Sequence, residues 1–138
     1  MRVAINGFGR IGRLVFRIME ECDDFEVVAI NDLTDSKQLS HLLKYDSSQG
    51  SYRKDEIGYF GNYLVVNRRK IRVFSKSDPL ELPWGELEID VVFECSGHFT
   101  KKADALKHVE AGAKGLLFLR LVKIKMLRLW FMVLMNLF

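Results

Sequence analysis

The 138 residues suffice for one domain with its own core and are few for a two-domain enzyme. The net charge is +3, yet residues 1–114 hold 17 basic and 18 acidic side chains, while residues 115–138 hold Arg120, Lys123, Lys125, Arg128 and no acid. The basic balance belongs to the tail and gives no ground for nucleic-acid binding. Cys22 and Cys95 match neither a disulfide framework nor a metal cluster. A strand-like run follows Arg2 at once where a signal peptide would need a long apolar core, so a reduced, cytoplasmic setting is expected.

Arg2 to Asn6 is a short apolar, β-branched run and a candidate first strand. Gly7 to Gly12 is a glycine turn. Ile11, Leu14, Val15, Ile18 and Met19 then recur at helical spacing over Arg10 to Cys22. Phe25 to Ile30 is apolar apart from Glu26, as in a parallel strand buried on both faces. Ser36 to Tyr45 reads as helix, capped by Asp35 or Ser36. Ser47 to Gly61 is polar and glycine-broken, a loop with short strands. Tyr63 to Val66 and Arg69 to Phe74 read as antiparallel strands joined near Asn67-Arg68. Turns follow at Asp78-Pro79 and Pro83-Trp84. Asp90 to Cys95 is another buried strand, and Thr100 to Ala113 a helix with Thr100 as N-cap and Gly112 near its end. Strand and helix alternate, which predicts an α/β fold with helices on both faces of a mostly parallel, doubly wound sheet.

Gly7-x-Gly9-x-x-Gly12 alone is a weak signal, but here it follows a strand and opens a helix, as the dinucleotide fingerprint requires. Gly7 permits the tight turn, Gly9 lets a pyrophosphate approach the backbone, and Gly12 lets helix and strand pack closely. The amides of Arg10 and Ile11 lie at the positive end of the helix. Asp32, 20 residues past Gly12, ends the second strand, where a carboxylate can accept ribose hydroxyls and repel a 2′-phosphate. NAD is therefore expected over NADP. The bland alternative is a glycine turn beside a solvated aspartate.

I-N-G-F-G-R-I-G-R, A-I-N-D-L, L-L-K-Y-D-S, S-D-P-L-E-L-P-W and D-V-V-F-E-C-S-G-H-F-T occur in that order. From about Arg2 to Lys114 the chain closely resembles the cofactor half of glyceraldehyde-3-phosphate dehydrogenases, with erythrose-4-phosphate dehydrogenases as close relatives. The resemblance implies a Rossmann-type domain over residues 1–114, incomplete at its C-terminal end, with NAD as cofactor. It implies that Asn6, Gly7, Phe8, Gly9, Arg10 and Ile11 line the pyrophosphate site and that Asp32 holds the adenosine ribose. It places Ser96 and Gly97 near the pyrophosphate and nicotinamide, and Phe99 at the adenine pocket. Ser77 stands where many relatives carry a basic residue, so it meets adenine through backbone or hydroxyl. The family's reaction is an NAD-dependent, phosphorylating oxidation of glyceraldehyde 3-phosphate through a cysteine thiolate and a histidine. These belong to a part of the family sequence that no residue here matches. No catalytic residue is therefore assigned, and no turnover is expected from this polypeptide alone. Cys95 falls at a strand end of the cofactor domain and reads as a buried structural cysteine, and Cys22, near a helix end, reads as structural. His41, His98 and His108 read as helix-surface or loop histidines. The family assembles as a homotetramer, largely through the other half, so this chain is not expected to.

After A-G-A-K the family continues with a strand of the type V-I-I-S-A-P, and this chain reads G-L-L-F-L-R-L. Arg120, Lys123, Lys125 and Arg128 interrupt the tail before it reaches membrane-spanning length. Its charges also miss the single face of an interfacial helix. A variant strand over Leu116 to Leu121 is a second reading. The third is a shifted frame. Taking the last base of each codon with the first two of the next, Gly115 to Leu121 can encode V-I-I-S-A-P. Further on, Met132-Val133 must encode glycine, within a permitted V-T-I-V-V-Y-G-V-N. Loss of one base near the codons for Lys114 and Gly115 accounts for the offset. Residues 115–138 are thus expected to be an out-of-frame tail, with unpaired sheet edges and association as consequences. The alternative is a stand-alone NAD-binding or interaction module whose tail docks a partner or membrane surface.

Overall fold

The computed structural model describes residues 1–45, 56–96, 102–124 and 127–135. In chain order these form β1 (Arg2–Asn6), α1 (Arg10–Glu20), β2 (Glu26–Asn31), α2 (Ser36–Lys44), β3 (Ile57–Phe60), β4 (Tyr63–Val66), β5 (Arg69–Phe74), a 3-10 turn (Pro79–Glu81), β6 (Val91–Glu94), α3 (Lys102–Glu110), β7 (Gly115–Ile124) and β8 (Leu127–Met135). One eight-stranded sheet runs β3-β4-β5-β2-β1-β6-β7-β8. The stretch β5-β2-β1-β6-β7 is parallel throughout, and its order is the 3-2-1-4-5 of a Rossmann sheet. Antiparallel β4 and β3 extend one side, and antiparallel β8 lies beyond β7 where a sixth parallel strand would fall.

The pleat sorts the core into two layers. Val3 and Ile5 of β1 join Phe16, Met19, Leu39 and Leu43 of α1 and α2 on one face. Ala4, Ala29 and Val92 meet Trp84, Ile89 and Leu116 on the other. Alternate residues of β1 and β6 thus feed opposite layers, and β2 feeds both with a register shift at Val28, which is why all three read as apolar runs. A fully buried side chain of this size contributes about 1.5–3 kcal/mol. Phe16, Trp84, Leu43 and Ile5 are at or near zero exposure and anchor both layers.

Helix α1 is rotated from the expected position. Its buried stripe is Gly12, Arg13, Phe16 and Met19, while Ile18 is 56% exposed and Ile11 and Val15 are half-buried. Gly12 sets this rotation. A Cβ there would lie 2.1 Å from the Gly7 carbonyl oxygen and 3.3 Å from the Ile5 Cγ2, so only a bare Cα fits against the strand. Positions one and two turns on, Phe16 and Met19, then face the sheet.

Other boundaries follow local chemistry. The Asp35 carboxylate accepts from the Gln38 amide at 2.8 Å and caps α2. Asn67 and Arg68 both have positive φ, 48° and 68°, as a two-residue hairpin twisted with its strands requires. Asp78 caps the 3-10 turn by accepting from the Leu80 amide. Thr100, expected as the cap of α3, and most of the expected loop over 47–61 lie outside the described residues. The edge of β6 is not left open: Gly115–Phe118 pairs with Val91–Glu94, so the variant-strand position is filled, and the outermost strand is β8. No helix among the described residues is long and apolar enough to cross a membrane.

Candidate functional site

The carboxyl ends of β1, β2 and β6 lie side by side, and the loops leaving them enclose a cleft of about 460 Å³. It is lined by backbone or side chain of Asn6, Gly7, Gly9, Asp32, Ser77 and Ser96, together with Asn31, Leu33, Lys76 and Cys95. Ligands of open α/β sheets bind at this edge, where the strand order reverses direction on either side of β1.

The glycine turn is fixed from three sides. The Gly7 amide donates to the Asn31 carbonyl at 2.8 Å. Gly7 has φ 91°, and a Cβ there would come within 2.5 Å of the Ser96 backbone. Any larger residue is excluded by both conformation and space. The Phe8 amide donates to Asp32 Oδ2 at 2.7 Å, and Arg13 Nη1 donates to the Phe8 carbonyl at 3.0 Å. Gly9 differs from both neighbours: a Cβ there would meet nothing within 4 Å. The bare backbone at Gly9 therefore faces open space in the cleft rather than protein.

Helix α1 starts at this point. Its first internal hydrogen bond runs from the Arg13 amide to the Gly9 carbonyl at 2.9 Å. The amides of Arg10, Ile11 and Gly12 precede any helical acceptor, and Gly9 supplies no side-chain cap. Donors left in this way, at the positive end of the helix dipole, suit a phosphate. Across the cleft, Asp32 is half-buried, with Oδ1 accepting from the Thr34 amide at 3.0 Å. An open glycine, anion-seeking amides and a neighbouring carboxylate together fit a dinucleotide.

A buried polar chain lies beneath this surface. Asn31 Nδ2 donates to Asn6 Oδ1 at 2.7 Å and to the Lys76 carbonyl at 2.9 Å. Asn6 Nδ2 donates to Glu94 Oε2 at 2.7 Å. Glu94 Oε1 accepts from the Ser96 amide at 3.1 Å and from the Ser96 hydroxyl. His108 of α3 contacts Glu94 Oε2 through Nε2 at 2.7 Å and accepts from Trp84 Nε1 at its Nδ1, at 3.0 Å.

Of the residues singled out in the sequence, Asn6, Gly7, Gly9, Asp32, Ser77 and Ser96 are brought together at the cleft. Phe8 turns its ring into the core at 1% exposure, against Phe16, and offers the site only its backbone. Arg10 is exposed and Ile11 half-buried at the start of α1, outside the cleft lining. Gly97 and Phe99 lie outside the described residues, as does His98. One reading needs correction. His108 is not a surface histidine: it is fully buried and bonded on both nitrogens. Cys22 is exposed beyond the end of α1. Cys95 is buried, and burial, aided by the Glu94 charge, pushes its thiol far above the usual range. It lines the cleft as a neutral thiol without nucleophilic character.

The sequence reading missed Asn31 and Lys76 of the cleft lining, and Glu94, Trp84 and His108 beneath it. A signal for Glu94 was present, as a lone carboxylate inside the apolar run V-V-F-E-C. A charge there must find buried partners.

The fold order and this cleft define a dinucleotide-binding α/β domain of the Rossmann type. Comparison with known proteins narrows the class. The model of the glyceraldehyde 3-phosphate dehydrogenase NAD binding domain matches residues 1–102, and the chain belongs to that family. Glyceraldehyde-3-phosphate dehydrogenase of Clostridium pasteurianum is 60% identical over 113 residues, 82% of this chain and 34% of the relative. That of Geobacillus stearothermophilus is 56% identical over 115 residues, 83% of this chain and 34% of the relative. The chain spans about a third of the length of these relatives.

Proposed function

We propose that this chain binds NAD in the cleft at the ends of β1, β2 and β6, as the cofactor part of a phosphorylating glyceraldehyde-3-phosphate dehydrogenase. The observation that carries the reading is the Cβ-free, open surface at Gly9, set between the first amides of α1 and the Asp32 carboxylate. In this reading Asn6, Gly7, Phe8, Gly9, Arg10 and Ile11 surround the pyrophosphate, Phe8 by its backbone. Asp32 holds the adenosine ribose, Ser77 and Phe99 border the adenine, and Ser96 and Gly97 face the nicotinamide side. The bound cofactor supplies hydride acceptance. The chain's own residues orient it and supply no thiolate, since Cys95 is held neutral and Cys22 lies at the far end of α1. The 138 residues alone therefore do not oxidise glyceraldehyde 3-phosphate, and the setting is cytoplasmic. All the named relatives carry the glyceraldehyde-3-phosphate name, which favours that substrate over erythrose 4-phosphate for the family reaction.

Residues 115–138 are read as an out-of-frame tail. The codon relation to V-I-I-S-A-P supports this, and the strand position of β7 is compatible with it. Family codons that end in TT become codons that begin with TT and give leucine or phenylalanine, so apolar strand character survives the shift. One observation favours a second reading: β7 pairs with β6 in parallel over Gly115–Phe118, as a genuine strand of a stand-alone NAD-binding module does.

The test is a calorimetric NAD titration of the purified chain beside a dehydrogenase assay. Saturable 1:1 binding without turnover is expected. No binding overturns the reading, and turnover overturns the inactive assignment. Sequencing the locus from the codon for Ala113 past that for Phe138 separates the two readings of the tail. A second frame running on through V-I-I-S-A-P supports the shift.

A further inference from the structure

We propose that Trp84, His108 and Glu94 act as positioning residues for the cofactor site; this rests on the NAD-binding reading above. None of the three lines the cleft, whereas Asn6, Asn31 and Ser96, which they hold directly or through one another, all do.

An indole N–H only donates. Trp84 Nε1 lies 3.0 Å from His108 Nδ1, so that nitrogen presents its lone pair and the ring's proton sits on Nε2. Nε2–H therefore donates to Glu94 Oε2 at 2.7 Å, in a pair with 0% and 2% side-chain exposure. Trp84 thus fixes the tautomer, and the tautomer fixes Glu94.

Glu94 then distributes the constraint. Oε2 also accepts from Asn6 Nδ2, and Oε1 accepts from the amide and hydroxyl of Ser96. Ser96 is the residue against which Gly7 packs without room for a Cβ. Asn6 in turn accepts from Asn31. One buried carboxylate therefore sets the floor of the cleft from β1 to β6, and α3 reports to it through the His108 imidazole. A buried carboxylate beneath a site for phosphates would also repel the ligand unless its charge were engaged. Here Asn6 Nδ2, His108 Nε2 and the amide and hydroxyl of Ser96 all donate to it.

The experiment uses the full chain, labelled with 15N, with the Trp84 indole resonance assigned through the Trp84→Phe variant. On titration with NAD, the Trp84 indole N–H is expected to shift along the same saturation curve as the Ser96 amide. His108→Leu, which keeps apolar volume and loses the donor, is expected to weaken NAD affinity about tenfold. His108→Gln, which keeps an N–H at the position of Nε2, is expected to recover affinity to within about threefold of the parent. A role confined to stability would lower the melting temperature and leave the Trp84 resonance unmoved by NAD. An unmoved Trp84 resonance at saturation, or a folded His108→Leu chain that binds NAD like the parent, overturns the proposal. If neither His108 variant folds, the titration of the parent chain decides alone. If the parent chain binds no NAD, it is the functional reading that fails, and this proposal fails with it.

Discussion

The Asp32 carboxylate accepts a hydrogen bond from the Phe8 amide at 2.7 Å, joining the end of β2 to the glycine turn that follows β1. The residue expected to hold the ribose thus also holds the turn that meets the pyrophosphate. Loss of its carboxylate removes both. Asp32→Ala is expected to weaken NAD binding about ten- to a hundredfold, since hydrogen bonds to a charged group are worth about 1.5–3 kcal/mol. It should also reduce discrimination against NADP, because the charge that repels a 2′-phosphate is gone. Parallel NAD and NADP titrations check both. An unchanged preference for NAD would mean that Asp32 serves the turn and not the ribose.

Two glycines of the turn separate folding from binding. At Gly12 an added Cβ would lie 2.1 Å from the Gly7 carbonyl oxygen. Gly12→Ala is therefore expected to destabilise the fold by about 3 kcal/mol, the upper end of overpacking penalties. At Gly9, φ is −76° and an added Cβ meets no protein atom within 4 Å. Gly9→Ala is expected to melt within a few degrees of the parent while losing NAD affinity, because the methyl enters the space left for the ligand. Thermal melts with NAD titrations distinguish the two. A Gly9→Ala chain with full affinity would place the ligand elsewhere.

What the sequence made legible was whatever a local pattern specifies. The strand, the glycine turn, α1 and Asp32 follow from residue type and spacing, and a mostly parallel sheet follows from the alternation of strands and helices, whereas the order β5-β2-β1-β6-β7 comes from the fold itself. The rotation of α1 was not legible from its apolar spacing, because a close contact of Gly12 with Gly7 overrides the wider apolar stripe. The pattern would have buried Ile18, which is 56% exposed. The chain from Trp84 through His108 to Glu94 was hidden for a different reason. Its members are 24 and 14 residues apart, and nothing short of the fold places them in contact. The cleft residues missed from the sequence, Asn31 and Lys76, are tied to each other across 45 residues by paired hydrogen bonds in the same way.

The two cysteines should behave oppositely toward an alkylating reagent. Cys22 is exposed and Cys95 is buried, with its thiol pushed far up by desolvation and then by the neighbouring Glu94 charge. Thiolate is the reacting species. Iodoacetamide at pH 8 is therefore expected to modify Cys22 in the native chain and Cys95 only after denaturation, as read by peptide mass spectrometry. Rapid native labelling of Cys95 would show that the end of β6 opens, and NAD should then slow it.

Asp90 ties the first and last parallel strands at their starts. Its Oδ2 accepts from the Arg2 amide at 2.8 Å, and Lys114 Nζ lies 3.5 Å from Oδ1. The Arg2 amide is the main cause that holds its carboxyl below the ordinary value of 3.8; Lys114 and the N-terminal charge add to it, and partial desolvation opposes them. A carboxyl with a depressed folded pKa stabilises the fold above its unfolded pKa, and that contribution is lost as pH falls through the folded value. Asp90→Asn is therefore expected to melt below the parent at pH 7, with the gap closing as pH falls below about 4. Melting curves of both chains between pH 3 and pH 7 check this. A gap that persists undiminished at pH 3 would assign the Asp90 effect to the shape of the side chain rather than to its charge.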